Sequence, residues 1–269
     1  MTSQLEKCLS FEALHGSAGA FVIPNPFDLG SARVLEHLGF KALATSSAGF
    51  AQTLGRGDGQ VTLEEKLAHC GQLAAGTGIP VNVDFEDGFA DDPATVAKHV
   101  LRLAETGVAG CSVEDFSRTG KTVFGFELAV ERVQAAAEAV ASLDVPFQLT
   151  ARAEGLLRRS GDLDDVIGRL QAFEKAGAHV LYPPGLTSLD QIRRVRAEVN
   201  RPLNVLAPFL SKSNVAELAD AGATRISVGS ALASLAMGSV IDAGREMLES
   251  GTFHWSARMP QDLAALLGP

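Results

Sequence analysis

The chain has 269 residues, 46% hydrophobic and 20% charged, with a net charge of -9. That length suits one large domain with a well-buried core, and the acidic balance leaves no basic footprint for nucleic acid. Three scattered cysteines, Cys8, Cys70 and Cys111, make no disulfide framework and no CxxC pair, which fits a reducing compartment.

The N-terminal stretch shows no basic start followed by an apolar run. No run of about 18 apolar residues marks a membrane span. A cytoplasmic protein without a membrane partner is the expectation.

Residues 20–23 (AFVI) predict a first strand. The segment SARVLEHLG after Asp28 predicts a helix capped by that aspartate. A strand follows at 41–45 (KALAT), then a helix after Thr62 (LEEKLAHCGQLAAG). The run 81–84 (VNVD) is a third strand, and Pro93, behind Asp92, opens the next helix. Strands are then expected at 110–114, 146–151, 179–182, 203–206 and 225–228. Between them lie segments of helical spacing: ELAVERVQAAAEAVASL, LDDVIGRLQAFEKAG, LDQIRRVRAEV and SNVAELADAG. After residue 230 comes one more helix, ALASLAMGSVIDAGREMLESG, and an irregular apolar tail.

A glycine closes several helices just before the next strand, as in LGFKAL, TGVAGCSV, AGAHVLY and AGATRISV. Eight strands alternating with helices predict a (β/α)8 TIM barrel in one domain over residues 1–269. The competing doubly wound sheet would show a Gly-rich phosphate loop after its first strand, and VIPNPFD is not one.

Active sites of such barrels sit at the C-terminal strand ends. Those ends carry Asn25 and Asp28; Ser46, Ser47 and, further along, Asp58; Asp84, Glu86 and Asp87; Glu114 and Asp115; Arg152 and Glu154; Tyr182; Asn204; Gly229 and Ser230. The stretch VNVDFEDGFADDP (81–93) crowds five carboxylates behind an apolar run. Asp91 and Asp92 read as the start of a helix, where the dipole favours them. Asp87 reads either as solvated loop or as site. Asp84 and Glu114 are either buried hydrogen-bonding groups or the core of the site. Oxygen ligands without His or Cys favour a hard cation such as Mg2+. Arg152 is then left to grip an anionic substrate, or it is a salt-bridge partner of those acids. The segment 117–125 (SRTGKTVFG) lacks apolar periodicity and is expected to be mobile over the site.

Several stretches together resemble the isocitrate lyase/phosphoenolpyruvate mutase superfamily: NPFDLGSARVLEHLGFKAL, TSSAGFAQTLGRGD, VDFEDGFADDP, GVAGCSVED, TARAE, EKAGAHVLYPPGL, NVLA and GATRISVGSAL. The resemblance implies a (β/α)8 barrel whose final helix is swapped between subunits of a homodimer or homotetramer. It implies Mg2+, or Mn2+, and a small anionic 2-oxo acid or its enolate. Asp84, Glu86 and Glu114 match the metal-holding acids. Arg152, Asp58 and Glu114 match catalytic positions, with Arg152 on the far anionic group of the substrate. Ser46, Ser47 and Ala48 match the segment whose backbone amides receive the enolate or carboxylate. Asp84 and Asn204 complete the expected substrate contacts.

The chain also departs from the superfamily pattern. The Lys-Lys-Cys-Gly-His loop of isocitrate and methylisocitrate lyases is replaced by FSRTGKTVFGFEL, which holds no Cys or His. Pro184 stands where those lyases carry a substrate-binding Glu, and no Asn occurs in 115–127. The first expectation is therefore a Mg2+-dependent lyase of oxaloacetate decarboxylase type. The alternatives are P–C chemistry, as in phosphonopyruvate hydrolase or phosphoenolpyruvate mutase, and a non-catalytic 2-oxo acid binder.

Overall fold

The computed structural model describes residues 2–267; Met1, Gly268 and Pro269, the ends of the expected domain, lie outside the described residues. Strands form at all eight apolar runs: β1 (Phe21–Ile23), β2 (Leu43–Ala44), β3 (Val81–Asp84), β4 (Gly110–Glu114), β5 (Gln148–Arg152), β6 (Val180–Tyr182), β7 (Asn204–Leu206) and β8 (Arg225–Ser227). Every pairing is parallel. One sheet runs β2-β3-β4-β5-β6 and the other β1-β8-β7. Leu181 bridges Leu203 at one seam, and the Ala44 N–H donates to the Pro24 carbonyl at 3.0 Å at the other. The sheets thus curl into a barrel-like ring with the strands in chain order.

Alternation along the strands decides which side chain goes where. Val81, Val83, Cys111, Val113 and Leu149 pack outward against Val96, Val100, Leu103 and Ala136 of the surrounding helices. Leu181, Val205 and Ile226 do the same in a second cluster with Ile192 and Leu218. Each such side chain contributes about 1.5–3 kcal/mol on burial. The alternate positions are polar: Asn82 and Asp84, Ser112 and Glu114, Thr150 and Arg152, Asn204, Arg225 and Ser227. Barrel interiors are usually filled by branched apolar side chains. This one is largely polar at its centre and keeps an open cavity there.

The helix starts follow their caps. The side chains of Asp28, Thr62 and Asp92 accept from the backbone N–H groups of Ser31, Glu65 and Thr95. The longest helix to escape the sequence reading is Gln4–Gly16, fixed by a capping box between Ser3 and Glu6, and the short helices Ser47–Thr53 and Gly155–Arg158 escaped it too. The helix Gln4–Gly16 lays Cys8 and Phe11 against Phe21, Ala42 and Ala109, at the strand ends opposite the expected site. The apolar tail is not wholly irregular either. A short helix at Leu263–Leu267 returns to the helix Leu29–His37, where Arg33 Nη1 donates to the Leu267 carbonyl at 3.4 Å. Among the described residues, no helix is long and apolar enough to cross a membrane.

Candidate active site

The acidic stretch after β3 resolves into separate tasks. Past Asp84 the backbone turns through three left-handed residues, Glu86 (φ 50), Gly88 (φ 71) and Phe89 (φ 60). A Cβ on Gly88 would stand 2.9 Å from Val96 Cγ1, so both conformation and space call for glycine there. Asp87 is neither solvated nor in the cavities. It is buried and accepts from the N–H groups of Phe89 (3.0 Å) and Arg118 (2.8 Å). Asp91 accepts the Ser117 hydroxyl at 3.1 Å, and only Asp92 caps the helix.

These bonds also bear on the segment 117–125, expected to be mobile. Phe116 pairs with Val123, and Ser117 is buried. The Arg118 side chain reaches the Val61 carbonyl at 3.0 Å, lies 3.4 Å from both Glu86 and Asp87, and stacks on Phe89. Polar anchors hold this segment, which is why apolar periodicity gave no sign of order.

Arg152 is the hub of the mouth. Its Nη1 lies 2.8 Å from Asp84 Oδ1, its Nη2 2.7 Å from Glu154 Oε1 and 3.1 Å from Glu114 Oε2. Three carboxylates thus surround Arg152 at hydrogen-bond distance, as a salt-bridge partner of those acids would show. Arg158 backs the cluster, with Nε 3.1 Å from Glu154 Oε2 and its guanidinium over the Phe116 ring. Asp84 Oδ2 also accepts the Ser47 N–H at 2.9 Å. Burial would push the Asp84 carboxyl up, but the Arg152 guanidinium, Lys66 and Ser47 hold it below the usual range. Glu114 goes the other way: burial, with the Glu154 and Asp84 charges, outweighs Arg152 and raises it well above that range. Burial likewise pushes Glu86 up to about 7.

Two cavities share this mouth. The larger, about 330 Å³, is lined by Ser46, Ser47, Ala48, Asp58, Asp84, Arg152 and Asn204, with Asn25, Tyr182 and Ser230 among others. The smaller, about 170 Å³, is lined by Ser47, Asp58, Glu86, Glu114 and Arg152, with Arg118, Lys121 and Arg158. All nine sequence-derived candidates thus come together on two adjoining spaces. Asn204 sits deepest, 1% exposed, between Ser227 and Arg225. Sequence reading missed Arg158 and Arg225 as cavity residues. Arg158 stands four residues after Glu154, at ion-pair spacing on a helical turn, and Arg225 is a lone cation opening an otherwise uncharged strand run, RISV.

The donor chemistry bears on a divalent cation. Among the described residues, no three acidic, imidazole or thiol side chains already converge on one point. Arg152 draws Asp84 and Glu114 onto its own guanidinium, and Glu86 is turned toward Arg118, so Asp84, Glu86 and Glu114 form no direct chelate as they stand. Yet Glu86 Oε1 is buried with no hydrogen-bond partner, beside a space that Asp58 and Glu114 also line. Mg2+ binds one or two carboxylates directly and keeps its waters. The acids fit it in that water-rich mode.

Residues 11–248 match the family model described as phosphoenolpyruvate phosphomutase, and the chain belongs to that family, within the isocitrate lyase/phosphoenolpyruvate mutase superfamily of lyases and mutases. It is 30% identical to the probable 2-methylisocitrate lyase 2 of Corynebacterium glutamicum over 88% of this chain and 80% of that one. It is 28% identical to the oxaloacetate decarboxylase of Pseudomonas entomophila, over 72% of this chain and 69% of that one. Among solved structures, a Burkholderia cenocepacia J2315 protein provisionally called a lyase/mutase superposes with a TM-score of 0.93. That likeness covers 99% of this chain and 97% of the other at 41% identity.

Proposed function

We propose that this chain is a Mg2+-dependent lyase that cleaves or decarboxylates a small 2-oxo or 2-hydroxy dicarboxylate through an enolate, in the manner of an oxaloacetate decarboxylase. The observation that carries this reading is the make-up of the larger cavity. It offers carboxylates, hydroxyls and cations but no thiol or imidazole, and the three cysteines are buried elsewhere. Such a set suits chemistry that needs charge stabilisation and proton movement without a protein nucleophile.

Asp84 and Glu86, with Glu114 and Asp58 through water, would hold the cation. Bound there, Mg2+ supplies Lewis-acid stabilisation of developing negative charge on the 2-oxo group. The chain's own residues do the rest. Ser46 and Ser47 present hydroxyls, and Ala48 a backbone N–H, to the anionic end of the substrate. Asp58 borders both cavities and orients water between them. Glu114, its carboxyl raised above the usual range by burial, borders the smaller cavity beside the proposed cation. Arg152 keeps Asp84 ionised and fixes Glu114 and Glu154 in place.

P–C chemistry on a phosphonopyruvate-like substrate is the second reading, favoured by one feature. Arg118, Lys121 and Arg158 surround the smaller cavity, and three cations suit a phosphonate dianion. Pyruvate release decides: with Mg2+, oxaloacetate is expected to yield pyruvate faster than phosphonopyruvate does. The reverse order selects the second reading, and binding without turnover of either selects a silent binder.

Residues 1–269 are proposed to act as one domain in the cytoplasm, as a homodimer or homotetramer with the helix Ala231–Glu249 passed to a neighbour. Leu235, Val240, Ile241 and Leu248 of that helix are each more than half exposed, more apolar surface than a lone helix keeps in water.

A further inference from the structure

The larger cavity does not end at the mouth. Deeper in the barrel its wall is made by Asn82, Asn204, Arg225 and Ser227. Arg225 opens β8 and is 3% exposed. Its Nε donates to Asn204 Oδ1 at 2.8 Å and its Nη2 to Thr150 Oγ1 at 3.0 Å. Its Nη1 lies 3.4 Å from His15 Nε2. All three partners are neutral, since burial pulls His15 down to about 3. Among the described residues no carboxylate forms an ion pair with Arg225.

An enclosed cation without a counter-charge is costly, and the cost is relieved by an anion that arrives. Burial correspondingly draws the Arg225 guanidinium down to about 9. Arg152 offers no comparable vacancy, because its guanidinium is already shared among Asp84, Glu114 and Glu154. The same cavity offers donors for the other end of a diacid, since Ser46, Ser47 and Ala48 line it toward the mouth.

We propose that Arg225, steadied by Asn204 and Thr150, receives one carboxylate of the substrate at the inner end of the cavity, so that this buried arginine selects diacids over monoacids. The assignment deepens the lyase reading and rests on it only for the reaction. The recognition itself is a binding property of the cavity.

Succinate and butyrate share a chain length and differ by one carboxylate, and neither is cleaved by a 2-oxo acid lyase. Calorimetric titration of the wild-type chain is expected to show succinate binding at least tenfold tighter than butyrate. In Arg225→Gln succinate binding weakens at least tenfold and that preference disappears. Equal affinities in the wild type, or a preference that survives Arg225→Gln, overturns the proposal. Should Arg225→Gln not fold, Arg225→Lys carries the test: it keeps the charge without the two-pronged fork, and an undiminished preference in it overturns the assignment. Succinate preference without oxaloacetate turnover sinks the lyase reading alone. Turnover with an unchanged KM in Arg225→Gln sinks the Arg225 assignment alone.

Discussion

Arg152 and Arg225 stand in one barrel and line the same cavity, yet they live in opposite electrostatic surroundings. Arg152, at the mouth, sits within 3.1 Å of three carboxylates. Arg225, at the floor, touches an amide, a hydroxyl and an imidazole. The mouth is neutralised by the protein itself and is fixed in shape before any ligand arrives. The floor is left with a surplus positive charge. A buried arginine therefore says little until its partners are counted: one kind organises acids, the other awaits one.

The contrast can be broken most severely at Asp84. Asp84→Asn removes the charge that anchors both Arg152 and the proposed cation. Activity on the substrate is expected to fall at least about a hundredfold, the loss of a few kcal/mol of charge stabilisation, while circular dichroism stays that of the wild type. Turnover that persists in the wild type after exhaustive chelation would remove the metal from the account.

Removing the cation instead of the acid tests stability. Arg152→Met strands Asp84, Glu114 and Glu154 without their shared partner. Breaking a buried ion pair from one side costs about 3–5 kcal/mol, so the urea midpoint should drop steeply. A midpoint close to wild type would mean that water reaches these acids and that the mouth is not preorganised.

A smaller effect comes from pH. Burial pushes Glu86 up to about 7 and Asp115 up to about 6, against roughly 4 in an unfolded chain. Between about pH 4.5 and 7 the folded chain then holds more protons than the unfolded one, so stability falls as pH rises through that window. For Glu86 the loss is on the order of 3 kcal/mol at most. Mg2+ favours the ionised form and should flatten the slope. A metal-free thermal profile that rises over the same window contradicts the buried placement of these acids.

The least effect is expected at the loop. Asp87→Asn weakens the hold on Arg118 and should cost about 1–2 kcal/mol, with faster tryptic cleavage at Lys121. In the wild type, cleavage there should be slow even without ligand. Rapid wild-type cleavage would restore the mobile lid that the bonds to Ser117 and Arg118 argue against.

Much of the scaffold was legible from local rules. The caps at Asp28, Thr62 and Asp92 and the glycine before four of the returning strands are written within a few residues of one another. The helix Gln4–Gly16 was equally local, since Ser3 and Glu6 spell its capping box. It was passed over because it belongs to no strand–helix unit. The mouth was legible as a set of residues, because strand ends in such barrels converge. What those residues do to one another was not. Asp84, Glu114 and Arg152 meet across three strands, and nothing local tells that Arg152 is shared among acids. Asp87 and Ser117 hold their loops through single hydrogen bonds to distant chain, a signal with no periodicity to betray it.

The turn after β3 has a consequence for anyone hoping to make this chain more heat-resistant. Glu86 and Phe89 both occupy backbone angles that glycine tolerates and L side chains resist, at a cost of about 1–2 kcal/mol each. Glu86 adds a buried oxygen with no partner. A search for hardier variants would therefore be drawn to Glu86→Gly, which relaxes the backbone and discards the unpartnered oxygen in one change. The variant should melt higher and work less well, for the same atoms that burden the fold are those a cation would use. Selection for endurance and selection for turnover pull this single codon in opposite directions.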